Sequence, residues 1–173
     1  MALMEPSANP ERTLTVTWQD PLPIAQAAGT RSGRELLEAM IRGELSPPPI
    51  AVLLGFRLAE VAEGRAVFVV KPGEQHYNPI GVVHGGLLAT VLDSALGCAV
   101  HSTLPVGVGY TTLELKVNFV RAVTRDTPPL RAEANVFHVG RRVATAEGRV
   151  VDDAGKLYAH ATTTCLLMRD EAR

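Results

Sequence analysis

The stretch Asn78-Pro79-Ile80-Gly81-Val82-Val83-His84-Gly85-Gly86-Leu87-Leu88-Ala89-Thr90-Val91-Leu92-Asp93-Ser94-Ala95-Leu96-Gly97-Cys98-Ala99-Val100 decides the fold. From position 84 to about 102 its apolar residues recur with i, i+4 spacing, at Leu87, Leu88, Val91, Leu92, Ala95, Leu96, Ala99 and Val100, which predicts an α-helix. Such a helix is apolar nearly all round and is therefore expected to be buried. Its remaining face is narrow: at ~100° per residue, Gly86, Thr90, Asp93 and Gly97 fall within about 60° of one another. Small residues there let another group approach Asp93 closely. A mid-helix aspartate is itself unfavourable, by about 0.5–0.7 kcal/mol against alanine, and a buried, unpaired carboxylate costs more. The helix start has the opposite character, with unpaired N–H groups and a partial positive charge. An acid or base together with an oxyanion binder suffices for acyl-transfer chemistry.

Distance separates those two groups. Gly85 and Asp93 are eight residues apart, about 12 Å along a helix axis. A reacting carbonyl needs its oxygen and its carbon each within about 3–3.5 Å of the group that acts on it. One helix does not offer both to one carbonyl. Two antiparallel copies related by a two-fold axis do so twice, which points to a homodimer with shared sites.

With its continuation Tyr110-Thr111-Thr112-Leu113-Glu114-Leu115-Lys116-Val117-Asn118-Phe119-Val120-Arg121, this segment resembles the hotdog-fold acyl-CoA thioesterases of the PaaI-like group. The mammalian THEM-type and the 4-hydroxybenzoyl-CoA thioesterases are related to that group. The resemblance extends over about residues 50–168 and is strongest over 78–121. It implies an α+β hotdog fold, in which an antiparallel sheet of about six strands wraps a long central helix. It also implies a homodimer, extended to a dimer of dimers (a homotetramer). Position by position, it implies that the Gly85 N–H forms the oxyanion hole and that Asp93 is the catalytic carboxylate. Asn78 would orient the water or the carbonyl, and Thr112 would help position water. His84 belongs to the His-Gly-Gly turn and Gly86 completes it, a largely structural pairing beside the substrate. No metal or redox cofactor is implied.

The remaining sequence is consistent with a single globular unit. Its 173 residues suit one domain, and 46% hydrophobic with 20% charged residues is an ordinary globular balance. A net charge of −1 argues against a nucleic-acid-binding surface. No apolar run approaches the ~20 residues of a membrane span, and the first residues lack the pattern of a signal peptide, so the cytoplasm is the expected compartment. Cys98 and Cys165 read as buried free thiols without metal-type spacing.

Residues 1–48 read as an N-terminal extension and 49–170 as the thioesterase domain. Within the extension, residues 13–18 alternate like a short strand. Ser32-Gly33-Arg34-Glu35 has the pattern of a capping box ahead of a short amphipathic helix, and Pro47-Pro48-Pro49 marks the boundary. The extension carries four arginines against six acidic residues, so a DNA-binding headpiece is not expected; a cover over one edge of the core is. A helical turn over 50–54 leads to strands over 56–63 and 65–71. After the central helix, four more strands are predicted over 109–121, 130–139, 142–152 and 156–168. In the first of these four, alternation puts Leu113, Leu115, Val117 and Phe119 on one face, toward the helix or the sheet core, and Thr112, Glu114, Lys116 and Asn118 on the other.

The function read from this pattern is hydrolysis of an acyl-CoA thioester, aryl or medium-chain. Tyr77 is a candidate wall of the acyl pocket. Arg141 and Arg142, at a turn, are candidate contacts for the CoA phosphates. Each site residue also has a plainer role open to it: Asp93 as a surface residue or the cap of a neighbouring loop, Gly85 and Gly86 as glycines that permit tight turn packing, Asn78 as a turn residue before Pro79, Thr112 as an ordinary strand residue, the two arginines as a solvated hairpin tip. A hotdog hydratase or dehydratase, and a non-catalytic acyl-CoA-binding module, are the alternative functions.

Overall fold

A computed structural model describes residues 11–169. Its centre is the helix α4, Gly85–His101, whose Leu92, Ala95, Leu96, Ala99 and Val100 are fully buried. His84 caps its start, and Ser102 closes its end. The Ser102 hydroxyl donates to the Ala99 carbonyl at 2.7 Å and accepts from the Gly64 N–H at 2.9 Å, which ties the helix end to a strand turn.

Six antiparallel strands surround this helix: β1 (Phe56–Ala62), β2 (Arg65–Val70), β3 (Val108–Phe119), β4 (Leu130–Val139), β5 (Val143–Val151) and β6 (Leu157–Arg169). Their order in the sheet is β1-β2-β4-β5-β6-β3, so β1 and β3 form its edges. Alternating small residues on the helix side, among them Ala132, Ala134, Ala144, Ala146, Ala159 and Ala161, are buried. They let the sheet close tightly on the bulky side chains of α4. One long helix held against a curved antiparallel sheet is the hotdog arrangement.

Strand β3 departs from simple alternation. Thr112 pairs with Cys165 and Glu114 pairs with Thr164, leaving Leu113 unpaired in a bulge. One extra residue reverses which side chains face inward. Tyr110 and Thr112 face the helix before the bulge, and Leu115 and Val117 face the core after it. Leu113 is left 57% exposed. The expected grouping of Thr112 with Glu114, and of Leu113 with Leu115, is therefore corrected.

Ahead of the sheet lie α1 (Leu22–Ala28), α2 (Gly33–Ile41) and α3 (Pro49–Leu54). The capping box of α2 is formed: the Glu35 N–H donates to the Ser32 hydroxyl, and the Glu35 carboxylate accepts from the Ser32 N–H. Leu36, Leu37 and Ala39 of α2 are buried, and the helix packs on β1 and the end of α4. Residues 13–18 form no strand. Both sheet edges remain unpaired by them, and an alternating segment without a partner ladder stays extended coil. None of the residues of α1 is buried, so this helix leaves no apolar periodicity to read in the sequence.

Candidate active site

Two groups of residues meet α4, one at its start and one at its middle. At the start, the His84 Nδ1 accepts the Gly86 N–H at 2.8 Å, a side-chain cap on the first turn. That bond uses the Gly86 N–H. The Gly85 N–H has no acceptor among the described residues, and it lies at the positive end of the helix. A Cβ at Gly85 would lie 3.0 Å from Phe119 Cζ, so glycine there admits the β3 aromatic ring close to the backbone.

The loop before the helix is braced by Asn78. Its Oδ1 accepts from the N–H groups of Ile80 and Val82, at 3.1 and 3.3 Å, and Gly81 adopts φ +81°. The Asn78 N–H donates to the Val82 carbonyl and the His84 N–H to the His76 carbonyl, both at 2.8 Å. This small ladder holds Asn78, Tyr77, His84 and Gly85 together. The Tyr77 hydroxyl accepts the Arg125 N–H at 2.9 Å.

At the middle of the helix, Asp93 is half-buried, and its Oδ1 accepts a hydrogen bond from Thr112 Oγ1 at 2.9 Å. The bulge at Leu113 is what turns Thr112 toward it. Residues of the same region that sequence reasoning missed are Tyr110 and Cys98. A Cβ at Gly97 would sit 2.6 Å from the Tyr110 hydroxyl, so the small-residue face of α4 is filled by this tyrosine. The only sequence signal for it was the glycine that makes the room. Burial raises the Tyr110 hydroxyl well above its usual pKa. Burial, and then the Asp93 charge, push the Cys98 thiol up to about 12. A thiol so protonated at neutral pH is a poor nucleophile, and Asp93 is the carboxylate beside it.

The two groups remain apart within one chain, since eight residues of helix, about 12 Å, separate Gly85 from Asp93. Arg141 and Arg142 lie elsewhere again, exposed at the β4–β5 turn. They line a cavity of about 460 Å³ with Leu166, Leu167, Met168 and Arg169, where Arg169 Nε donates to the Arg141 carbonyl at 3.1 Å. Among the described residues, no cluster of three or more histidine, cysteine or acidic side chains is placed to hold a metal. No helix there is long and apolar enough to cross a membrane.

Comparison with known proteins finds relatives of this chain. The thioesterase superfamily profile matches residues 80–159. Human acyl-coenzyme A thioesterase 13 is 37% identical over 136 residues, which are 78% of this chain and 94% of the human protein. The solved structure of a phenylacetic acid degradation-related protein from Ralstonia eutropha is 33% identical with a TM-score of 0.68, covering 75% of this chain and 98% of its own. A variant of the phenylacetic acid degradation protein PaaI from Thermus thermophilus is 28% identical with a TM-score of 0.63, covering 69% of this chain and 98% of its own.

Proposed function

Because this chain belongs to the thioesterase superfamily and is a thioester hydrolase of the PaaI-like hotdog group, we propose that it hydrolyses acyl-CoA thioesters, aryl or medium-chain, to the free acid and CoA. The observation that carries this reading is the Asp93 carboxylate, held on the small-residue face of a buried helix by the Thr112 hydroxyl. With Oδ1 engaged by Thr112, Oδ2 is left for water or for the thioester carbon.

In this reading the thioester oxygen binds the Gly85 N–H, where the helix dipole favours the developing negative charge. Asp93 of a second copy acts as general base on water, or as the nucleophile through a mixed anhydride. The C–S bond then breaks and CoA leaves as its thiol. Asn78 and His84 keep their places around the helix start, and Gly86 keeps the turn closed. Arg141 and Arg142 meet the phosphates of CoA. The shared site makes a homodimer the working unit, with a dimer of dimers as the larger assembly. Support comes from the edge position of β3, twelve residues long with one side unpaired, since such an edge is a template for another strand.

Asp93→Asn tests the assignment. We expect thiol release from acyl-CoA to fall about 100-fold or more, with the thermal transition and oligomeric state unchanged. Near-normal turnover would remove Asp93 from the mechanism. Tight acyl-CoA binding without thiol release in the unaltered protein would mark a binding module instead.

A further inference from the structure

The extended segment ahead of α1 is fastened beside the candidate site. Arg12 pairs with Glu74, and the other Glu74 oxygen takes Arg125 Nη1 at 3.1 Å. Arg125 also stands 4.0 Å from Asp126, so the two arginines face two carboxylates. Between the segment and the main body lies a cavity of about 530 Å³, lined by Arg12, Thr13, Leu14, Glu74, Gln75 and Tyr77. That volume lies in the range of small-molecule pockets, about 300–1,000 Å³.

Position connects the cavity to the chemistry. Tyr77 bridges Val83, and the His76 carbonyl accepts the His84 N–H. The cavity floor is thus one ladder away from the turn that presents the Gly85 N–H. Charge argues for what enters it. The ionic groups here are matched to one another, and the Tyr77 hydroxyl already holds the Arg125 N–H. Among the described residues Arg12 and Arg125 are each engaged by carboxylates, while Leu14 presents an apolar side chain that is 61% exposed. The apolar side that Leu14 and the Tyr77 ring give the cavity, beside a paired Arg12 and Glu74, suits the acyl part of a thioester better than its nucleotide part.

We propose that the segment around Leu14 is one wall of the acyl pocket, and that Leu14 sets which acyl groups the enzyme accepts. This rests on the hydrolase reading above. It assigns a specificity role to the N-terminal extension of this chain.

The test uses the full chain with acetyl-, hexanoyl- and phenylacetyl-CoA. Leu14→Trp fills the cavity, and Leu14→Ala widens it. For Leu14→Trp we expect kcat/KM to fall about tenfold for the hexanoyl and phenylacetyl thioesters, with less than about a twofold change for acetyl-CoA. Leu14→Ala should shift preference toward the longer acyl groups. Because Leu14 is exposed, both variants should keep the wild-type thermal transition. Equal changes across the three substrates, or none, would overturn the proposal while leaving the hydrolase reading intact. If the wild-type protein released thiol from none of them, the hydrolase reading would fall first and the pocket with it.

Discussion

At the scale of single residues, the proposed hydrolysis depends on how Asp93 is held. Its bond to Thr112 engages one oxygen of the carboxylate. Thr112→Val keeps the β-branched shape and removes only the hydroxyl. We expect kcat to drop about 10- to 100-fold, the cost of a misplaced reacting group, with KM little changed, and Thr112→Ser to recover most of the loss. Equal losses in the serine variant would argue that the methyl group, rather than the hydroxyl, matters. This residue also shows where alternation misleads: a period of two, carried through Leu113, puts Thr112 on the wrong face, and nothing in the local residue types announces the bulge. A second residue-scale expectation concerns pH. Burial lowers the pKa of His101, whose ring meets Tyr110 edge-on at a centroid distance of 5.3 Å, and burial likewise lowers that of His76. The unfolded chain therefore binds protons more readily at these positions, so stability is full above the ordinary histidine pKa of about 6.5 and declines as pH falls below it. Thermal melts over about pH 5–8 should show this decline, and His101→Gln should make it shallower.

At the scale of elements, legibility follows burial. The α4 periodicity gave its ends to within a residue, because apolar spacing and the caps at His84 and Ser102 agree. The capping box at Ser32 and Glu35 worked for the same reason: its donors and acceptors are local. What the sequence could not reveal is how α2 docks. The Gly33 N–H donates to the Leu104 carbonyl at 3.0 Å, and a Cβ at Gly33 would fall 1.8 Å from the His101 carbonyl oxygen. This glycine is thus the contact point between the extension and the end of α4, with backbone on the opposing side that has nowhere to go. Gly33→Ala should destabilise the fold by about 1–3 kcal/mol through overpacking, even though alanine is the better helix former. Ser32→Ala, which removes only the cap, should cost about 0.5–2 kcal/mol. Chemical denaturation of the two variants checks both; a stabilised Gly33→Ala would mean that α2 does not sit against His101.

For the whole molecule, the question is whether each site is made by two chains. Gly85 and Asp93 lie on one rigid, buried helix, so no side-chain motion brings them to a single carbonyl. Pairing of two β3 edges about a two-fold axis would set two α4 helices antiparallel, each start beside the other's middle. Complementation reads this directly. Gly85→Pro removes the N–H at the first helical position, where proline is well tolerated. The preceding His84, at φ −63° and ψ 133°, already has the extended backbone that proline requires of its neighbour. The ring would press on Phe119, which is 52% exposed in the single chain, so the thermal transition and dimer formation of Gly85→Pro are checked first. Gly85→Pro and Asp93→Asn should each be nearly inactive alone. Unfolded together in equal amounts and refolded, they form mixed dimers in half the population, and each mixed dimer carries one site with both an intact amide and an intact carboxylate. Activity should therefore return to about a quarter of the wild-type rate. A mixture that stays at background, with mixed dimers demonstrated by differential tagging, would mean that each chain completes its own site, and the head-to-tail pairing of α4 would have to be abandoned.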